Sequence, residues 1–312
     1  MNVSKENITD FYLVIQSNSI NTLTKLNTKG LIYDRLGDAE IRCGDNFVLR
    51  IKKYKSFENK NGKIFEKENG MNTLSYMFLD ILLIKFAQTK DLNIRFKLQE
   101  YMDMRGLKDR TAAREQVLQS IEALSRIAYE AYENIKGKWI YSGLVAIFGG
   151  SGFIKNGIIH FNFNNDFYNL LLKYGAMNYS TNTLKSDPRT NSYYFSRYID
   201  ENYRINEGKK RVDKITVKTL ISKSPNLPKF EEVTDRHYRE RIIMPFIRDL
   251  NRLEHIEFRI INNNNEVVND PENMLYKDFI NSTIYVDYKN YPKHNKSFIK
   301  SNNRGNTPQN EG

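Results

Sequence analysis

The feature that most constrains this chain is a pattern that occurs in it twice. Leu124-Ser125-Arg126-Ile127 recurs 126 positions later as Leu250-Asn251-Arg252-Leu253. At the same offset Ile121 meets Ile247, Leu118 meets Met244 and Val117 meets Ile243. Upstream, Lys97–Tyr101 matches Thr216–Leu220 at an offset of 119, and the proline-rich insertion Ser224-Pro225-Asn226-Leu227-Pro228 takes up the difference. Apolar residues three and four apart make one buried stripe on a helix. Two such stripes, with flanking elements in one order, point to a tandem duplication of a small unit.

The second copy, Thr234–Ile261, is the more distinctive. It opens on Arg236, His237, Tyr238, Arg239 and Arg241. An amphipathic body follows, with Ile243, Ile247, Leu250 and Leu253 on one face, and then the strand Glu257–Ile261. A helix that is cationic in front and apolar behind, running into a β-wing, suits a DNA groove. Arginine pairs with guanine edges, Tyr238 can reach phosphate or a thymine methyl, and the amides of a helix start favour phosphate. Pro245 removes one backbone bond and predicts a kink near Glu240–Arg241. In the first copy Lys108, Arg110 and Arg114 form a thinner basic set, suited to weak DNA binding or to dimerisation. Lys209-Lys210-Arg211 is either a further phosphate clamp or a polar loop. The competing reading of these cations is a solvated face paired with Glu231, Glu232 and Glu240.

The whole chain carries 48 Lys+Arg against 37 Asp+Glu, a formal charge of +11. Residues 204–252 hold 13 Lys/Arg against 7 Asp/Glu, so the excess is concentrated around the second copy. That balance favours a polyanion partner, with double-stranded DNA the first choice. Lys, Asn, Ile and Tyr are all abundant, as in proteins from AT-rich genomes, so codon bias is the competing source of the excess. Cys43 is the single cysteine, so neither an internal disulfide nor a thiolate metal cluster is expected, which fits a reducing cytoplasm. MNVSKENITDF lacks the apolar core of a signal peptide. Tyr76–Ala87 is interrupted by Asp80 and Lys85 and is too short to span a bilayer. A cytoplasmic location with no membrane partner follows as the expectation.

The spacing along the chain predicts an α+β protein: two tandem winged helix-turn-helix domains with a small N-terminal β-element and disordered tails. Residues 1–70 are read as an arm, mobile or weakly helical around Phe11–Ile15, followed by strands Glu40–Cys43 and Phe47–Tyr54. Residues 71–175 form winged-helix domain 1. Its order is a helix from Asn72 to Gln88, strand Ile94–Leu98, helix Gln99–Arg105, and a helix capped by Asp109 or Thr111 and running to Arg126, with buried Val117, Leu118, Ile121 and Leu124. Strands at 128–134, 139–148 and 158–163 follow, with Gly149–Gly152 as a turn. A helix capped by Asp166 closes the domain. Residues 176–291 form domain 2, after a polar linker at 175–184. Asp187-Pro188 is expected to start its first helix. Asn262–Asn265 is a plausible wing tip and 271–291 a strap. Residues 292–312 are expected to be disordered.

Catalytic patterns are mostly missing. Gly149-Gly150-Ser151-Gly152 lacks the spacing and the lysine of a phosphate loop. The four histidines are not spaced as paired metal ligands, and His160 reads as structural. Tyr193, Tyr194, Tyr198 or Tyr203, with Asp187 or Asp200 on a metal, could serve a nicking nucleophile, but tyrosine at helical spacing is more often core. No enzyme activity and no cofactor are expected.

With two winged units, and with Arg236, Arg239, Arg241, Pro245, Asp249 and Leu250 in the second, the chain resembles the iteron-binding replication initiators of plasmids and mobile elements. The resemblance covers roughly residues 72–265. It implies that the first winged helix mediates dimerisation and that the second makes the main base contacts. It also implies origin recognition and recruitment of host replication proteins without chemistry of its own. The alternatives are a winged-helix transcriptional regulator, a metal-dependent tyrosine nickase and a protein-interaction scaffold.

Overall fold

A computed structural model describes residues 11–15, 39–42, 47–51, 72–135, 138–173, 176–206, 213–228, 230–233 and 237–288. The expected turns at 44–46 and 59–62 and the tail from 292 lie outside these residues. Three strands come first: β1 (Phe11–Ile15), β2 (Ala39–Arg42) and β3 (Phe47–Ile51). Phe11–Ile15 is therefore a strand and not a weak helix.

The first unit then assembles. Helix α1 (Thr73–Thr89) starts where the Asn72 side chain accepts the Ser75 amide at 3.0 Å. It is buried nearly all round, as a helix with apolar residues on every face must be. Strand β4 (Asn93–Lys97) alternates out and in, and α2 (Leu98–Arg105) stops at Gly106, where φ is 66°. Asp109 caps α3 (Arg110–Ser125) by accepting from the amides of Thr111 and Ala112. Ala113, Val117, Ser120, Ile121 and Leu124 of α3 are buried, whereas Leu118 is 41% exposed, contrary to expectation. The strip is one residue narrower than apolarity alone suggests.

After α3 the chain forms β5 (Ile127–Ile135), β6 (Lys138–Ala146), β7 (Phe148–Lys155) and β8 (Ile158–Phe163). Sheet β4-β8-β7 is the winged-helix sheet, and sheet β2-β3-β5-β6 is a second, four-stranded one. The early strands β2 and β3 are thus bonded to the first unit and do not form an element of their own. Gly149–Gly152 is not a turn but the bulged start of β7, where pairing to β8 shifts between Phe148 and Gly152. Glycine makes this possible: Gly150 has φ 98°, and a Cβ on Gly152 would lie 2.7 Å from Ile121 Cγ2. Helix α4 (Asn165–Lys173) is capped by Asn164, whose Oδ1 accepts the Asp166 amide at 2.9 Å, so Asp166 sits inside the helix and not at its cap.

The expected linker is ordered. Ala176–Ser180 is strand β9, paired antiparallel with β1, and α5 (Thr181–Lys185) follows. Helix α6 (Ser192–Asn206) begins after Asn191, not at Asp187. Asp187 instead forms a turn with Thr190 and holds Arg189, while the Asn191 carbonyl accepts the first helical amide, that of Phe195.

The second unit repeats the first. It runs α6, β10 (Lys214–Thr216), α7 (Val217–Ser222), a π-helical turn at Arg239–Ile243 continuing into α8 (Met244–Asn251), β11 (Ile256–Ile261), α9 (Tyr276–Ile280) and β12 (Thr283–Tyr288). Its sheet order, β10-β12-β11, is that of β4-β8-β7. The former strap therefore supplies the central strand of the sheet, and α9 lies in the long connection between the wing strands. Matched positions share their environment. Val117 and Ile243, Ile121 and Ile247, and Leu124 and Leu250 are all buried, while Leu118 and its counterpart Met244 are exposed at 41% and 39%. The Leu98 amide donates to Gly157 O as the Val217 amide donates to Ser282 O.

Helix α6 serves both cores. Tyr193 and Tyr194 pack in the first, Phe195 and Ile199 in the second. Buried polar groups cross the same junction. Arg197 Nη1 lies 3.3 Å from Asp80 Oδ1 of α1, and its guanidinium covers the Tyr179 ring of β9 at 3.9 Å. Tyr193 Oη donates to Asp80 Oδ2 at 2.8 Å, and His255 Nε2 meets Asp200 Oδ1 at 3.0 Å. Burial raises the Asp80 pKa above its usual value, although Arg197 and Tyr193 pull it back.

Candidate DNA interface

Pro245 shapes the cationic end of the second unit's third helix. It has no amide hydrogen, and its ring excludes the carbonyl four residues earlier, that of Arg241. The chain responds with one wide turn at Arg239–Ile243, in which the Met244 amide reaches back to Arg239 O. The expected kink is this π turn. Ile242, Ile243, Phe246, Ile247 and Leu250 bury the inner side. His237, Arg239, Glu240, Arg241, Met244 and Arg248 are exposed on the outer side.

Neither Arg239 nor Arg241 makes an ion pair with a described carboxylate, and Glu240 lies 3.9 Å from His237 Nδ1. The paired-face reading thus fails for the two arginines, and their charge is available to an outside anion. Tyr238 is half-buried and turned towards the Tyr276 ring at 6.0 Å, and Tyr276 stacks on Phe230 at 4.1 Å with 13° between planes. Phe279, one turn further along α9, is buried edge-on against Phe246 at 5.4 Å. The wing connection therefore grips the third helix on both sides of its π turn. Burial, with Glu231 nearby, raises the Tyr276 pKa.

Further along the same helix, Arg248 and Arg252 flank buried Asp249 at 3.5 and 3.6 Å. Asp249 itself accepts the Asn191 amide at 2.8 Å and so fixes the start of α6. These two arginines serve the fold at least as much as any partner.

In the first unit Lys108, Arg110 and Arg114 are exposed at the start of α3 and make no ion pair with a described carboxylate. Arg110 reaches the wing turn: a Cβ on Gly157 would lie 3.0 Å from Arg110 Nη2. Lys155, at the last position of β7 before that turn, is exposed and was not anticipated. Its signal was present in the alternation Phe153, Lys155 ahead of Asn156-Gly157. His160 faces outward on β8 and stacks on Phe153 at 4.6 Å, so it is not a core residue. Arg236 and Lys209-Lys210-Arg211 lie outside the described residues. Among the described residues no three His, Cys, Asp or Glu side chains gather as metal ligands do, and no helix is long and apolar enough to cross a membrane.

Two successive units of helix, strand, two helices and two sheet strands, each presenting an exposed basic helix start, define a tandem winged-helix protein. Residues 14–194 match the family model described as Initiator Replication protein, WH1. This chain belongs to that family of replication initiators. The match ends at Tyr194, where α6 passes from the first core to the second. No curated protein sequence matches the chain. Similar solved structures include two crystal structures of RctB domains 2 and 3. Each is 13% identical over 86% of this chain with a TM-score of 0.49, and the matches cover 98% and 96% of the RctB chains.

Proposed function

We propose that this initiator binds double-stranded DNA sequence-specifically, marks the replication origin of a plasmid or other mobile element, and recruits host replication proteins. The observation that carries the reading is the face of Arg239 and Arg241, which pairs with no carboxylate among the described residues, on a helix whose other face is fixed in the core. Arg239 and Arg241 supply base and phosphate contacts. Lys108, Arg110 and Arg114 add a second, weaker contact or a homodimer surface. The chain performs no chemistry in this proposal and needs no cofactor. Of the four tyrosines weighed for nicking, Tyr198 and Tyr203 are half-buried, while Tyr193 and Tyr194 are buried and the Tyr194 pKa is pushed up to about 12 by burial. Neither of the buried pair can approach a phosphodiester.

Gel-shift titration on the DNA flanking the gene, at several salt concentrations, tests the reading. Contact with about six phosphates gives a log–log salt slope near −5. Changing Arg239 and Arg241 together to Ala should weaken binding to the flanking repeats by about tenfold or more, taking ~1–3 kcal/mol per lost base contact. A flat salt slope, or equal affinity for unrelated duplex, would defeat the proposal.

A further inference from the structure

The outer face of the first unit's sheet has a composition that duplex binding does not explain. The inward positions of β4 and β8 are core, with Ile94, Phe96, Ile159, Phe161 and Phe163 buried, and Phe148 and Ile154 of β7 pack half-buried against them. Hydrogen-bond register fixes what lies opposite what on the other side. Arg95 pairs with His160, which pairs with Phe153; Lys97 pairs with Ile158, which pairs with Lys155; Asn93 pairs with Asn162. This face therefore presents one cross-strand row of a cation and two rings and one of two lysines about Ile158, and none of its outward positions is a carboxylate. Phe153 is 44% exposed, a costly place for a phenyl ring, and it stacks on His160 with 17° between planes.

We infer that this sheet face is a binding platform for single-stranded nucleic acid, with DNA strands as the ligand. The stacked Phe153–His160 pair lies beside three exposed cations, Arg95, Lys97 and Lys155, and Phe153, on the edge strand β7, is the ring onto which a base can extend the stack. Bases in a duplex are already stacked on one another and cannot use such a surface. Unpaired bases can, and aromatic rings beside a basic track are how sheets hold single strands without reading their sequence. Charge sets the direction of choice as well. An acidic protein could neutralise the cations but would gain little from an exposed aromatic stack. Strand separation at an origin generates the ligand. The inference goes beyond the duplex reading and does not depend on it, because the duplex-facing helix starts are different residues.

The test uses the full chain and a fluorescein-labelled oligo(dT) of roughly 15 nucleotides, within the span of one stacking platform. Anisotropy should show binding with a log–log salt slope near −2, as three phosphate contacts to a single strand give. Phe153→Ala should weaken oligo(dT) binding by about tenfold, and Phe153→Trp should restore it, since stacking on any large ring suffices. Arg95→Gln combined with Lys97→Gln should weaken it independently and flatten the slope. All variants should keep the parent's thermal midpoint and its affinity for duplex. Unchanged oligo(dT) affinity in both Phe153→Ala and the double variant overturns the inference. So does an intact chain that ignores oligo(dT), or one whose self-association in sedimentation velocity is lost with Phe153→Ala, which would make the face a protein contact. Loss of duplex binding on changing Arg239 and Arg241, with oligo(dT) binding retained, separates the two sites.

Discussion

At the scale of single residues, the burial of charge says most about this molecule. Arg197 and Asp80 are withdrawn from water between the two units, where neither ion is cheap to keep. Removing one partner leaves the other uncompensated. Arg197→Met should therefore destabilise the protein by about 3 kcal/mol or more at neutral pH in urea unfolding. The deficit should shrink in acid. Asp80 already has a raised folded pKa from burial, and without Arg197 it rises further. A carboxyl that holds its proton more tightly when folded favours the native state below the unfolded pKa of about 4, and stability falls as pH rises towards the folded pKa. A variant equally destabilised at acid and neutral pH would show that Asp80 is not the group left behind. Glu100 has the opposite sign. Although burial opposes it, the hydrogen bond from Lys85 at 2.6 Å lowers its pKa, so the stability it contributes is lost as pH falls through that lowered value.

Elements were legible in the sequence where local signals agreed, and misjudged where tertiary pairing decided. Asn72, Asp109 and Gly106 announced their helix ends, and the structure uses all three. The paired Leu118 and Met244 aligned correctly between the repeats, yet both face water, because the helix stripe is set by what packs against it. The glycine run at 149–152 reads as a turn, but contacts with Ile121 and with β8 require a strand that small residues alone can supply. Gly152→Ala tests this: the added methyl would press on Ile121 and should cost about 1–3 kcal/mol in thermal or urea unfolding. Strand β12 was taken for a strap because the α9 connection separates it from its hairpin partner. No periodicity reveals that Tyr276 stacks on Phe230 or faces Tyr238. Tyr276→Ala should cost about 1 kcal/mol, from the lost aromatic pairing. Amide exchange at residues 237–243 should accelerate more than elsewhere, since a wide turn has weak internal bonding. Uniform exchange would show that α9 does not secure the cationic head.

For the whole molecule, sharing α6 between two cores predicts one cooperative transition. Trp139, the single tryptophan, lies in β6 of the first unit, so its fluorescence follows that unit while far-ultraviolet circular dichroism follows both. The two signals should coincide across a urea titration of the parent protein and separate in Arg197→Met. Coincidence in both would mean that apolar contacts on α6 alone couple the units. The repeat was visible because each copy keeps its core volumes in order; the coupling was not, because it depends on Asp80, Tyr179, Arg197 and His255, which are distant in sequence and carry no shared pattern. The candidate site was legible as a cluster of arginines, and its orientation was not, since Pro245 could be read as a kink but not as a π turn.

The pairing of β1 with β9 also bears on how the chain is made. Phe11–Ile15 leaves the ribosome early, but Ala176–Ser180 follows only after the entire first unit. At ordinary translation rates the first strand waits on the order of ten seconds with its hydrogen-bonding edges open. During that interval the same strand of a neighbouring nascent chain is a competing partner, the situation in which exposed edges lead to exchange between chains. Slow synthesis or crowded polysomes would therefore favour strand-swapped pairs, whereas a chain released and refolded in dilute solution would close on itself.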